Sequence, residues 1–139
     1  MNIYRNFKLV VFSCLLLNFI KAGEIEYYWS GAVTSESAVI SFATDKKARI
    51  KIQYSESKNF KKNKRYTKAI STNEKSHYFS KEQLGNLKPN QTYYYRFNIN
   101  GTLKKDQIGK FKTHSDKPFS YKVTMATCAT TGSNNPVFD

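Results

Sequence analysis

Between residues 37 and 54 the chain alternates apolar and polar positions with the period of a half-buried strand. Ala38, Ile40 and Phe42 fall on one face of a first run, and Ile50, Ile52 and Tyr54 on one face of a second, with Lys51 and Gln53 opposite. Two strands joined through Thr44-Asp45-Lys46-Lys47 follow. From Ser55 to Lys75 the period vanishes. This stretch is polar and basic, with Lys58, Lys61, Lys62, Lys64, Arg65 and Lys68, and predicts a long loop or a ragged edge hairpin. Either a basic binding patch or a charged edge that discourages strand-to-strand aggregation accounts for those residues. His77 and Phe79 alternate with Ser76, Tyr78 and Ser80, which suggests a further strand before a turn at Gly85. Alternation is strongest where Tyr93, Tyr95, Phe97 and Ile99 share one face. Asn100-Gly101 is a two-residue hairpin turn, and Ile108, Lys110 and Lys112 alternate with Gly109, Phe111 and Thr113 in a final strand. Six or seven short strands separated by turn signals imply an all-β sandwich.

The segment that enters the best-defined strand sharpens this. Leu87-Lys88-Pro89 precedes Tyr93 and Tyr95. Pro89 fixes φ ahead of the corner, Leu87 can plug the end of the core, and a tyrosine six residues after Leu87 can tie its hydroxyl to the upstream backbone. This is the tyrosine-corner pattern of immunoglobulin-like and fibronectin type III sandwiches.

The two ends have a different character. Arg5 and Lys8, an apolar run from Leu9 to Ile20, and small residues at Ala22 and Gly23 form the three-part pattern of a cleavable export signal over residues 1 to 22. The run is short for a membrane span and no stop-transfer pattern follows, so no stable span is expected after cleavage. Cys14 sits inside the apolar run, whereas lipidation would need that run to finish before the cysteine. No twin arginine is present, so the general secretory route to a secreted or periplasmic location is the default. Beyond Thr113, His114-Ser115-Asp116-Lys117-Pro118 reads as a linker, because Pro118 restricts its predecessor and cannot donate to a ladder. These features place a sandwich domain over residues 23 to 114. A new strand is expected from Phe119 to Cys128, followed by a loop through Asn135, and residues 119 to 139 read as the truncated start of a second domain. With the signal removed, Cys128 is the one cysteine left, which in an exported protein calls for an explanation.

Composition narrows the function classes. Ten Tyr and ten Phe suit pleated surfaces and argue against disorder. The formal charge is +13, and setting aside Arg5, Lys8 and Lys21 leaves 20 basic against 10 acidic residues. Such an excess can attract nucleic acid, anionic lipid or phosphorylated substrate, or simply reflect a lysine-rich solvated surface. No nucleic-acid recognition motif is present. Asn90-Gln91-Thr92 and Asn100-Gly101-Thr102 are formal glycosylation sequons, yet turn chemistry alone explains asparagine at both places. His77 and His114 read as structural or solvated.

An ordered set of segments resembles the PhoD-like alkaline phosphatases: Trp29-Ser30-Gly31-Ala32-Val33-Thr34, Leu87-Lys88-Pro89 with Tyr93 and Tyr95, Gly109-Lys110-Phe111-Lys112-Thr113, and a strand ending at Thr127-Cys128. The resemblance implies a fibronectin-like N-terminal domain ahead of an α/β metallophosphatase domain that hydrolyses phosphoesters as a phosphomonoesterase or phosphodiesterase. It also implies that Cys128 is a ligand of a catalytic iron that works with calcium, a role suited to a thiolate on a strand end. By spacing alone, Cys128 reads as an ordinary buried cysteine that packs as a small apolar residue, and only the resemblance turns it into a ligand. The remaining ligands would lie beyond Asp139, so the implied enzyme would be inactive as this fragment. Purple acid phosphatases share the Leu-x-Pro and tyrosine corner but place an aspartate where Cys128 stands. The other reading is a fibronectin-like extracellular module that docks glycan, protein or anionic polymer through its basic surface.

Overall fold

The computed structural model describes residues 23–120. Nine strands build two antiparallel sheets: β1 (Ile25–Gly31), β2 (Ala38–Thr44), β3 (Arg49–Ser55), β4 (Arg65–Tyr66), β5 (Ile70–Ser71), β6 (Phe79–Leu84), β7 (Thr92–Ile99), β8 (Thr102–Leu103) and β9 (Gly109–Lys112). One sheet has three strands in the order β1-β2-β6; the other has six, with β4 and β5 on one side of β3, then β7, then β8 and β9. This is a β-sandwich of the fibronectin type III kind, the architecture that short alternating strands favour.

Alternation decides which side chains meet between the sheets. Ala38, Ile40 and Phe42 of β2 are completely buried, as are Ile50 and Ile52 of β3 and Tyr93, Phe97 and Ile99 of β7. Register fixes the contacts: Ile52 pairs with Phe97 and Tyr54 with Tyr95 across β3 and β7. From the facing sheet, Tyr28 meets Phe97 edge-on at 5.3 Å between ring centroids and Tyr95 at 6.0 Å. Edge-to-face packing of this kind adds about 1 kcal/mol per pair to the burial itself.

The nine strands exceed the six or seven expected, because β4, β5 and β8 have two residues each and are too short to carry a period. The strand expected to include His77 begins at Phe79 instead, because His77 (φ 49°) and Tyr78 (φ 57°) are both left-handed. They close a single 3₁₀ turn at Glu74–Ser76, capped by the Asn73 side chain. The aromatic segment ahead of residue 37 is strand β1, which apolar alternation does not reveal because both of its faces carry aromatic rings. The basic stretch is a ragged edge rather than an open loop. β4 and β5 both add to β3, and the hydroxyl of buried Thr72 lies 2.8 Å from that of Thr44 and accepts the Ala48 N–H at 3.0 Å. Phe60 is buried within it, covered by the Arg96 guanidinium 4.0 Å above its ring.

Asn100 and Gly101 both have positive φ (50° and 92°), the conformation a two-residue turn between right-twisted strands requires. Asn90 is also left-handed, at φ 52°. The export-signal pattern in residues 1 to 22, the strand ending at Cys128 and the start of a second domain lie outside the described residues, apart from exposed, non-strand Phe119 and Ser120. Among the described residues no helix is long and apolar enough to cross a membrane.

Candidate functional site

The tyrosine corner forms as the sequence predicts, and its role is structural. The Tyr93 hydroxyl accepts the Lys88 N–H at 2.9 Å, and Leu87 is buried beneath it. Thr113, just past β9, locks the same corner: its hydroxyl donates to Lys88 O at 2.6 Å and accepts the Gln91 N–H at 2.9 Å. The backbone continues the clamp, Asn90 N–H donating to His114 O at 2.8 Å and His114 N–H to Thr34 O at 3.0 Å. Nearby, Lys88 Nζ lies 2.9 Å from Glu56 Oε1, and its hydrogen bond holds the Glu56 carboxyl below the ordinary carboxylate value.

Among the described residues there is no group of three His, Cys, Asp or Glu side chains able to hold a metal. The two histidines make unrelated local contacts. His77 caps the 3₁₀ turn, whereas the His114 ring packs against Phe119 at 5.0 Å. The iron and calcium implied by the sequence resemblance therefore have no fitting ligand set within residues 23–120, and Cys128 lies outside them.

What the sandwich does offer is two outward faces of contrasting chemistry. On the three-stranded sheet, Tyr27 and Trp29 of β1 remain about half exposed (50% and 48%). Their rings lie 6.0 Å apart and nearly parallel, and Trp29 reaches Phe79 of β6 at 5.9 Å, roofing Ser41 and Ala43 of β2. On the six-stranded sheet, a groove of about 840 Å³ is lined by Arg49, Lys51, Tyr66, Asn98, Asn100 and Gly101. Strand spacing and hydropathy do not reveal this groove, since its residues come from three strands and a turn; the exposed faces of β3 and β7 were the only local signal.

A family model described as the PhoD-like phosphatase N-terminal domain matches residues 29–115. The chain belongs to that family. A solved structure of PhoD is 25% identical with a TM-score of 0.54, the match covering 62% of this chain and 18% of that one. The PhoD-like chain thus spans less than a fifth of that structure's length. The sensor domain of the anti-sigma factor RsgI4 from Pseudobacteroides cellulosolvens matches in a short form, at 20% identity and TM-score 0.53, over 69% of this chain and 98% of that one. Its long form matches at 22% identity and TM-score 0.54, over 73% and 99%. Identities at that level show a shared fold and nothing more. No curated protein sequence matches the chain. Of the two metallophosphatase groups weighed from sequence, the PhoD-like one is the family matched.

Proposed function

We propose that this sandwich is the N-terminal accessory domain of an exported, metal-dependent phosphoester hydrolase of the PhoD-like kind. The observation that carries the reading is the family match over residues 29–115, which includes the tyrosine corner and the strand that follows it. Export is supported by the composition of residues 1 to 22, and a hydrolytic partner domain by the much greater length of the PhoD structure. On the same reading Cys128 is an iron ligand, with calcium as the companion ion and a small phosphoester as substrate. A metal centre would lower the barrier by stabilising charge on the phosphoryl oxygens. The described residues would then support and orient that centre without belonging to it.

The test is to translate the reading frame past the codon for Asp139, express the whole product, and assay it on p-nitrophenyl phosphate and its bis-ester. Metal-dependent release of p-nitrophenol that falls at least a hundredfold in Cys128→Ser supports the reading. A frame that encodes no further domain, or a product inert with every first-row metal plus calcium, overturns it. A binding module is the second reading, favoured by the open basic groove on the six-stranded sheet.

A further inference from the structure

The groove on the six-stranded sheet is built from parts that constrain what can occupy it. Arg49 and Lys51 alternate with core residues Ile50 and Ile52, so both side chains leave the same outer face of β3, about 7 Å apart along the strand. Lys51 is directly opposite Asn98 on β7, and the Asn100-Gly101 turn closes one end. Tyr66 of β4 pairs with Gln53, the next outward residue of β3, and stands as the side wall with 52% of its surface exposed. That wall is held in place: Gln53 Nε2 donates to the Tyr66 hydroxyl while Gln53 Oε1 accepts from Arg96 Nε at 2.6 Å.

The hydrogen-bond inventory leaves the groove rich in donors and poor in acceptors. The Asn98 carbonyl oxygen is taken by the Gly101 N–H at 3.0 Å, and that of Asn100 by the Arg49 N–H at 2.8 Å. The Tyr66 oxygen already accepts from Gln53, which directs its own proton elsewhere. One Asn98 amide N–H is already donated to Gly101 O at 3.1 Å, so what remains for a ligand is the Arg49 guanidinium, the Lys51 ammonium, the Asn100 amide, the second Asn98 N–H and the Tyr66 O–H. No carboxylate lines the groove, and neither Arg49 nor Lys51 has an ion pair among the described residues. A lining of donors and positive charge is complementary to an acceptor-only anion. Arginine's planar fork matches a phosphoryl group with two parallel bonds, and lysine adds a point charge. The Tyr66 ring beside them gives an organic substituent a flat apolar surface.

We propose that this groove is a second, non-catalytic binding site for a phosphoester, whose phosphoryl group docks on Arg49 and Lys51 and whose organic part lies against Tyr66. The choice of phosphate over other oxyanions rests on the phosphoester-hydrolase reading above; the anion site itself rests on the groove. Such a site would raise the local concentration of substrate beside an attached catalytic domain.

The test is a heteronuclear NMR titration of the full chain with phenyl phosphate, in the presence of a chelator so that only binding is read. Saturable shifts at the amides of Arg49, Lys51, Tyr66 and Asn98 are expected. The double variant Arg49→Gln/Lys51→Gln should weaken binding at least tenfold. Lys75→Gln/Lys81→Gln, which removes the same charge outside the groove, should leave it within twofold. Tyr66→Leu should weaken phenyl phosphate but not inorganic phosphate. The proposal is overturned if the control pair loses as much affinity as the groove pair, or if benzoate or inorganic phosphate binds as tightly as phenyl phosphate. Because no turnover is measured, an inert full-length enzyme would not change this result, and an active one would not rescue it.

Discussion

Replacing Tyr93 by Phe isolates what the corner hydroxyl does. The ring is completely buried and stacks on Phe111 at 5.7 Å, so the substitution keeps its apolar contacts and removes only the acceptor of the Lys88 N–H, now 2.9 Å away. A net hydrogen bond contributes about 1 kcal/mol, and a donor left unsatisfied at a part-buried site costs about 1 to 3 kcal/mol. Lys88 is itself exposed, so water can reach the freed N–H in part, which places the expected loss near 1.5 kcal/mol. For a domain of about 100 residues this corresponds to a melting point roughly 8 °C lower. Urea unfolding followed by circular dichroism reads it directly, with an unchanged m-value because the buried surface is unchanged. Tyr93→Ala should cost about 3 to 5 kcal/mol, since it also empties the core. A Tyr93→Phe protein within 0.3 kcal/mol of the parent would refute the idea that the hydroxyl fastens the corner.

Other perturbations test other joints. Gly109 lies against the Tyr95 ring so closely that an added Cβ would sit 2.5 Å from its hydroxyl oxygen. Gly109→Ala should therefore destabilise by about 1 to 3 kcal/mol and alter the near-ultraviolet tyrosine signal; unchanged stability would mean the strand yields freely. Burial pushes the Tyr95 phenol up to about 12 from its ordinary 10, partly offset by a hydrogen bond with Ser30. The unfolded chain then releases this proton first, so the contribution of this group to stability should be constant below pH 10 and fall by up to about 3 kcal/mol between pH 10 and 12, a loss absent in Tyr95→Phe. Glu82 projects inward opposite Ile40, and burial raises its carboxyl above the ordinary 4.5. Its folded form holds a proton more tightly, so stability should drop as pH climbs through and just above 4.5; Glu82→Gln should remove that slope and be the more stable protein at pH 7.

Where sequence spoke clearly, one face of a strand was buried and the other wet. β7 is the limiting case: Tyr93, Tyr95, Phe97 and Ile99 alternate with partly exposed Thr92, Tyr94, Arg96 and Asn98. β1 was silent because Tyr27 and Trp29 face outward while Tyr28 faces in, so apolar character carries no period. The left-handed pair His77 and Tyr78 was silent for another reason. Tyrosine does not favour positive φ, and the turn is closed by backbone bonds that no residue pattern announces, Tyr78 N–H to Asn73 O at 2.9 Å and Thr44 N–H to Tyr78 O at 3.2 Å. The groove escaped a linear reading because Tyr66, Lys51 and Asn98 become neighbours only through sheet pairing. Phe60 looked like exposed loop and is buried under Arg96, because a single apolar residue among lysines gives no pattern. The family resemblance depended on short motifs whose order survived where periodicity did not.

The clamp joining Thr113 and His114 to the corner and to Thr34 has a mechanical consequence. A chain leaving a sandwich from a frayed strand end behaves as a tether, and whatever it carries samples a wide cone of orientations. Here two separate segments, residues 88–91 and Thr34, grip the exit point. Thermal motion of a following segment must pivot beyond His114, so its starting position is fixed and its angular freedom is set by the few residues up to Pro118. The sandwich is thereby a plinth rather than a leash, and torque applied to one side of that exit would be transmitted into β9 and the tyrosine corner together.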